Sequence, residues 1–206
     1  MFTVVVTTGA TVTFTSLIEK IVDAKFIQEL KNIKVTKLII QFGNEVVDSI
    51  HISELFFSKQ IREKNILETL QLSDTENGRV KSEVKHYSSS TFEIIAFPYS
   101  RNIDEYIQQA DVVITHAGTG SIIDTLRNHK KLMVVVNDKL MDNHQLEIAN
   151  EFSKLEHCLS YQVNEVNDSG FINDLKQLLN NEIKLEPLAD NDGNVMEAII
   201  YDELMK

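Results

Sequence analysis

An apolar run that breaks off into a hydroxyl-rich glycine turn constrains this chain more than any other feature. Val112-Val113-Ile114 is the kind of run required by a strand buried on both faces of a parallel sheet. It stops at Thr115-His116-Ala117-Gly118-Thr119-Gly120-Ser121, where the one bulky side chain is an imidazole. A helical pattern follows at once, with Ile122, Ile123, Thr125 and Leu126 on one side, and Asp124 falls one turn into it. Strand, glycine turn and helix in that order aim backbone N–H groups and a positive helix end at an anion. A second strand, Leu132 to Val136, then runs into the polar loop Asn137 to Gln145. Ligands of open α/β sheets sit beyond the carboxyl ends of strands, so both polar segments should face one crevice.

The same plan recurs earlier. Phe2 to Thr7 reads as a strand, followed by the turn Thr8-Gly9-Ala10-Thr11 and a helical stripe of Phe14, Leu17, Ile18, Ile21 and Val22. A short helix over Phe26 to Ile33 precedes a strand, Lys37 to Phe42, which ends in Gly43-Asn44. From Glu45 to Ser90 the pattern weakens. Ile61 to Leu72 suits a helix. Ser73 to Ser90 is polar, charged and serine-rich, and reads as a mobile surface insertion with a short extended piece near Val84. Its composition fits a solvated loop better than a binding element.

Phe92 to Phe97 is a strand that Pro98 ends, because proline has no N–H for the ladder. Ile103, Tyr106 and Ile107 suggest a short amphipathic helix. Beyond Gln145 the sequence predicts a helix through Leu155, a short strand from His157 to Tyr161 and a helix from Phe171 to Leu179. A linker over 180–194 contains Pro187, and Val195 to Met205 has the spacing of a last amphipathic helix. That helix could pack on its own domain or dock on a partner, in a tail of about 187–206. Alternating strands and helices predict one α/β domain over 1–206, a doubly wound parallel sheet of about six strands.

Composition excludes several classes. A net charge of -11 argues against a general nucleic-acid or anionic-membrane surface, though not against one bound phosphate. The single Cys158 cannot form an internal disulfide, and no Cys/His cluster has zinc spacing. The opening MFTVVVTTGA lacks a basic signal-peptide start, and no run approaches the roughly 20 apolar residues that span a bilayer. A cytosolic protein is expected, with any membrane association supplied by a partner.

The central turn is not a P-loop, since no Gly-Lys-Ser/Thr follows, and Ile123 stands where a dinucleotide fingerprint needs its third glycine. Alone, Gly118-Thr119-Gly120 fits a tight structural turn as well as a phosphate site. His116 could be a buried strand-end histidine, and Asp124 an exposed helical carboxylate. The set says more than its members. A nucleotide sugar needs N–H groups and hydroxyls for the diphosphate, a carboxylate for the ribose diol, and amides or carboxylates for the sugar.

Two runs carry a resemblance: His116-Ala117-Gly118-Thr119-Gly120-Ser121 with Asp124, and Val136-Asn137-Asp138-x3-Asp142-Asn143-His144-Gln145. Together with Val6 to Phe14 and Ile40-Gln41-Phe42-Gly43, they resemble the Rossmann-like donor-binding half of GT-B glycosyltransferases. The likeness is to the family of cytosolic catalytic subunits of heterodimeric UDP-GlcNAc transferases, which add the second GlcNAc to dolichol-diphosphate-GlcNAc. It covers most of the chain, less well over Glu45 to Ser90 and the tail.

The resemblance implies that Gly118, Thr119, Gly120 and Ser121 hold phosphates and that Asp124 takes the ribose hydroxyls. Thr8, Gly9 and Thr11 would form a second phosphate-facing loop. Phe97, Pro98 and Tyr99 would flank the uracil. Asn143, His144 and Gln145 would reach the donor sugar, with His144 standing where the family has an amide. His116 becomes a candidate catalytic residue. No cofactor and no metal are implied. A chain of this length has room for one GT-B half only, so a membrane-anchored acceptor-binding subunit should bring the lipid-linked GlcNAc acceptor to the cytosolic face of the endoplasmic reticulum. The alternative is a non-catalytic UDP-sugar-binding or scaffold module.

Overall fold

The computed structural model describes residues 1–9, 11–75, 84–137 and 144–189. The strands are β1 (Phe2–Thr7), β2 (Val35–Gln41), β3 (Val46–Val47), β4 (Ile50–His51), β5 (Ser73–Asp74), β6 (Lys85–Ser88), β7 (Glu93–Phe97), β8 (Val112–His116), β9 (Lys131–Val136) and β10 (Leu159–Gln162). The helices are α1 (Thr15–Ile21), α2 (Ala24–Asn32), α3 (Ile52–Glu63), α4 (Ile66–Thr69), α5 (Ile103–Ile107), α6 (Thr119–Arg127), α7 (His144–Lys154) and α8 (Ser169–Leu179). Among the described residues the main sheet runs β10-β9-β8-β1-β2-β7-β6-β5, and β3-β4 forms a separate hairpin.

The six strands from β10 to β7 pair in parallel, as the alternating sequence pattern predicts. The central strands β1, β2, β8 and β9 carry buried apolar residues on both faces because helices cover both. Val4, Val6, Leu38, Ile40, Ile114 and Met133 point into one layer with α1, α2, α3 and α8. On the other face Val5, Ile39 and Val113 meet α5, while Leu132, Val134 and Val136 meet α6 and α7. One residue of register would exchange the two faces, so alternate side chains of β1 belong to different cores.

Two stretches differ from the sequence-based expectation. Ser73 to Ser90 is not all surface loop, because Ser73–Asp74 and Lys85–Ser88 extend the sheet as antiparallel edge strands on β7. Only Tyr87 of β6 is buried, so an edge strand of this kind leaves no apolar run to read. Residues 76–83 lie outside the described ones. The helix expected over Ile61 to Leu72 is divided, since Asn65 takes a left-handed φ of 48° between α3 and α4. The longer helix starts at Ile52, and its buried face mixes Ser53 and Gln60 with Phe57 and Ile61, which blurs the apolar stripe.

The expected linker is fixed as far as residue 189. Ile183 and Leu185 pack on the larger core, and Leu188 packs on the α6–α7 side. The expected helix Val195 to Met205 lies outside the described residues. Among those described, no helix is long and apolar enough to cross a membrane.

The sheet reverses its direction of winding between β1 and β8. From β1 the chain moves outward to β2 and β7, and from β8 it moves the opposite way to β9 and β10. Neighbouring crossovers leave in opposite directions there, and the carboxyl ends of the two strands part into a crevice.

Candidate functional site

Beyond the ends of β1, β8 and β9 lies a cavity of about 140 Å³. Thr8, Gly9 and Thr11 form its β1 side, and His116, Asn137 and Gln145 form the opposite side. It is smaller than the roughly 300–1,000 Å³ of sites that enclose whole small molecules, so it can take a phosphate-sized part of an extended ligand. Val12 and Phe14 complete the wall and were missed as site residues. Phe14 reads only as the first residue of a helical stripe. Asn137 opens the loop that the strand-end rule put at the crevice, without a signal for a role of its own.

The strands bring their terminal threonines together first. Thr7 and Thr115 are register partners, and their buried hydroxyls lie 2.6 Å apart. Thr8 turns its hydroxyl back to the Gln41 carbonyl at 3.0 Å, which shapes the turn and leaves Gly9 at φ +86°. Only glycine adopts that conformation without cost.

His116 then occupies the gap between two glycine backbones. A Cβ added to Gly118 would sit 2.2 Å from its Nε2, and one added to Gly9 would sit 3.0 Å from it. Among the described residues the imidazole Nδ1 is buried with no hydrogen-bond partner, and the same holds for Oε1 of Gln145. Two orphaned polar atoms on one cavity are costly unless a ligand or water satisfies them. Burial pushes the His116 pKa below its ordinary value, partly opposed by the Thr7 backbone. The ring is therefore neutral at pH 7 and carries one N–H donor and one acceptor.

Gly118 is also the N-cap of α6, and no side chain caps that end. Thr119, Gly120 and Ser121 are thus the first helical turn, so the turn expected to run through Ser121 is two residues long. A Cβ on Gly120 would meet nothing within 4 Å, so this side of the helix end is open. Backbone N–H groups and helix dipole coincide here.

Asp124 is half-buried one turn further on and does not line the cavity. Burial, together with Asp104, raises its pKa, and Arg127 opposes this. Asn128 ties α6 to α5 by donating to Asp104 Oδ1 at 2.9 Å and to the Asp124 carbonyl at 2.8 Å. Asp104 is an acidic neighbour that the sequence pattern did not single out.

At the end of β7 the aromatic side chains divide. Phe97 is 2% exposed and stacks on Tyr106 with ring centroids 4.2 Å apart, inside the α5 core. Its side chain is therefore unavailable to flank a ligand, a departure from the expectation with burial as its cause. The Phe97 and Pro98 carbonyls accept from Phe42 and Gly43 N–H groups. Tyr99, 46% exposed, is the accessible ring of this segment. Asn143 lies outside the described residues, as does the side chain of His144, which opens α7.

Comparison with known proteins gives a consistent result. The profile of the glycosyltransferase family 28 C-terminal domain matches residues 56–200. The UDP-N-acetylglucosamine transferase subunit ALG13 of Candida albicans is 44% identical over 220 residues, covering 100% of this chain and 75% of that protein. The protein of the same name from Debaryomyces hansenii is 40% identical and covered in full on both sides. A solution structure of ALG13 superposes with a TM-score of 0.63 at 29% identity, covering 96% of this chain and 94% of that one. The crystal structure of MurG from Acinetobacter baumannii, 14% identical, has the same fold over 86% of this chain and 42% of its own length, with a TM-score of 0.52.

Proposed function

The chain belongs to the family of glycosyltransferase family 28 C-terminal domains, and from that membership we propose that it is the donor-binding subunit of an inverting UDP-GlcNAc transferase. The acceptor is a lipid-diphosphate-linked GlcNAc, the product carries a second GlcNAc in β-1,4 linkage, and dolichol is the lipid. A membrane-anchored acceptor-binding subunit completes the enzyme and holds it at the cytosolic face of the endoplasmic reticulum.

The observation that carries this reading is the conjunction at the β1–β8 switch point. The Gly9 backbone and a neutral imidazole line one phosphate-sized cavity, and the uncapped first turn of α6 starts three residues after His116, beside that cavity and not in its wall. The diphosphate of UDP-GlcNAc reaches from this cavity, beside Thr8, Gly9 and Thr11, to the first-turn N–H groups of α6 with Thr119 and Ser121. From it the nucleoside extends towards Asp124, whose carboxylate accepts from the ribose hydroxyls, and the uracil lies against the Phe97–Tyr99 backbone and the Tyr99 ring. The sugar extends towards Gln145 in the first turn of α7, with Asn143 and His144 as the further candidates from the sequence.

In the reaction the acceptor hydroxyl oxygen bonds to the anomeric carbon as its bond to the UDP oxygen breaks from the opposite face. Negative charge gathers on the leaving diphosphate, where preorganised N–H donors and the helix end stabilise it most. His116 serves this side of the reaction. Its depressed pKa makes it a poor base but leaves an N–H to donate to a phosphate oxygen. The base that takes the acceptor proton then belongs to the partner.

The test is GlcNAc transfer from UDP-GlcNAc to a lipid-diphosphate-GlcNAc, with this chain alone and with the co-expressed membrane-anchored subunit. Transfer with both chains and none with this chain alone is expected. Intact UDP binding without transfer in either preparation would identify a non-catalytic module instead.

A further inference from the structure

Ser53 is completely buried near the start of α3, outside the cavity, yet it is tied to the cavity wall. Its Oγ lies 2.7 Å from Thr13 Oγ1 and accepts from the Glu45 N–H at 2.9 Å. Glu45 Oε2 in turn accepts from the Thr13 N–H at 2.9 Å. The Thr13 hydroxyl, and after it the Thr13 N–H, hold the Glu45 carboxyl below the usual carboxylate range. Between Thr13 and Ser53 either hydroxyl can donate. The result is a closed ring from Glu45 N–H through Ser53 and Thr13 back to Glu45.

This ring joins three segments that are far apart in sequence. Thr13 belongs to the loop after β1, Glu45 to the loop after β2, and Ser53 to α3. Thr13 stands between Val12 and Phe14, which line the cavity. The same knot reaches the glycine turn, since a Cβ on Gly43 (φ +97°) would meet Ser53 Oγ at 3.2 Å and the Gly9 carbonyl at 3.5 Å. Gly9 is the residue whose backbone rests on His116.

We propose that Glu45 and Ser53 are positioning residues for the donor, fixing Thr11 to Phe14 in the shape that receives the diphosphate. The inference rests on the nucleotide-sugar reading of the cavity. A loop of small polar residues without this ring must be ordered at the moment of binding, and that cost weakens affinity without touching the chemical step. Neither residue lines the cavity.

The test uses the full chain, titrated with UDP alone, and then its complex with the acceptor-binding subunit in steady-state transfer. Four proteins are compared: wild type, Glu45→Ala, Glu45→Gln and Ser53→Ala. Glu45→Ala and Ser53→Ala should each weaken UDP binding by about tenfold, a lost hydrogen bond or somewhat more. Donor KM should rise with kcat changed by less than about twofold. Glu45→Gln keeps an acceptor oxygen for the Thr13 N–H and should restore most of the affinity. Should Ser53→Ala fail to fold, the two Glu45 variants decide. Unchanged UDP affinity in Glu45→Ala overturns the proposal, and so does a Glu45→Gln as weak as Glu45→Ala. A wild type that binds no UDP overturns the functional reading and this one with it.

Discussion

His116 and Gly118 are packed so closely that a single methyl group cannot be added between them. A Cβ on Gly118 would stand 2.2 Å from the imidazole Nε2, far inside any real contact. Replacing Gly118 with alanine must therefore displace the ring. Overpacking of this kind costs about 1–3 kcal/mol, read as a lowered urea midpoint, and UDP affinity should fall with it. In a His116→Ala background the obstruction is gone and Gly118→Ala should cost much less, a coupling of about 1 kcal/mol or more. Strictly additive costs would contradict the contact.

Gly120 makes the opposite case two residues on. Its Cβ would meet nothing within 4 Å, and it lies in the first turn of α6, where alanine is a better helix former than glycine. Gly120→Ala should leave the urea midpoint unchanged or raise it. UDP binding should nevertheless weaken, because a methyl group would hold a phosphate away from the first-turn N–H groups. Equal affinity for UDP in calorimetry would remove Gly120 from the site.

Acid should destabilise the protein through His116. Its folded pKa lies below the unfolded value of about 6.5, so the unfolded chain takes up the proton first as pH falls. The contribution is complete above that unfolded value and declines as pH drops towards the folded pKa. His116→Gln should flatten this part of a urea-midpoint profile taken between pH 7.5 and 5. An unaltered slope would show that the ring is not held neutral by burial.

Asp124 has the reverse sign. Burial and Asp104 raise its folded pKa, so the ionised carboxylate opposes folding at neutral pH, and this penalty is relieved as pH falls through the folded value. Asp124→Asn should thus leave the fold as stable or slightly more so, while UDP affinity drops by about tenfold or more through loss of the ribose acceptor. Loss of stability together with binding would make Asp124 a structural residue.

Cys158 is buried, and desolvation pushes its thiol pKa up to about 12. Almost no thiolate exists near pH 8, so iodoacetamide should not modify the native protein and should modify it promptly in urea. Fast native labelling would mean that the β9–β10 side opens readily.

The amino-acid sequence by itself determined the parallel sheet and where its ligand end lies. Strands buried on both faces must be apolar throughout, and the turns after them must be glycine-rich to bend and to approach an anion, so Val112 to Gly120 is readable from local pattern alone. Local pattern could not show which side chains converge. The Thr7–Thr115 pair is 108 residues apart in sequence, and the Thr13–Ser53 pair is 40 apart. Only the folded sheet decided that Phe97 turns into a core while Tyr99 stays outside, since both are aromatic residues at the end of one strand. The edge strands β5 and β6 were decided there too, because their pairing comes from backbone groups of β7 that every sequence carries. The same is true of His116: its sequence neighbourhood allows a site residue or a core residue, and only the fold brings Gly9 from a distant strand against its Nε2 edge and sets the ring in the cavity wall.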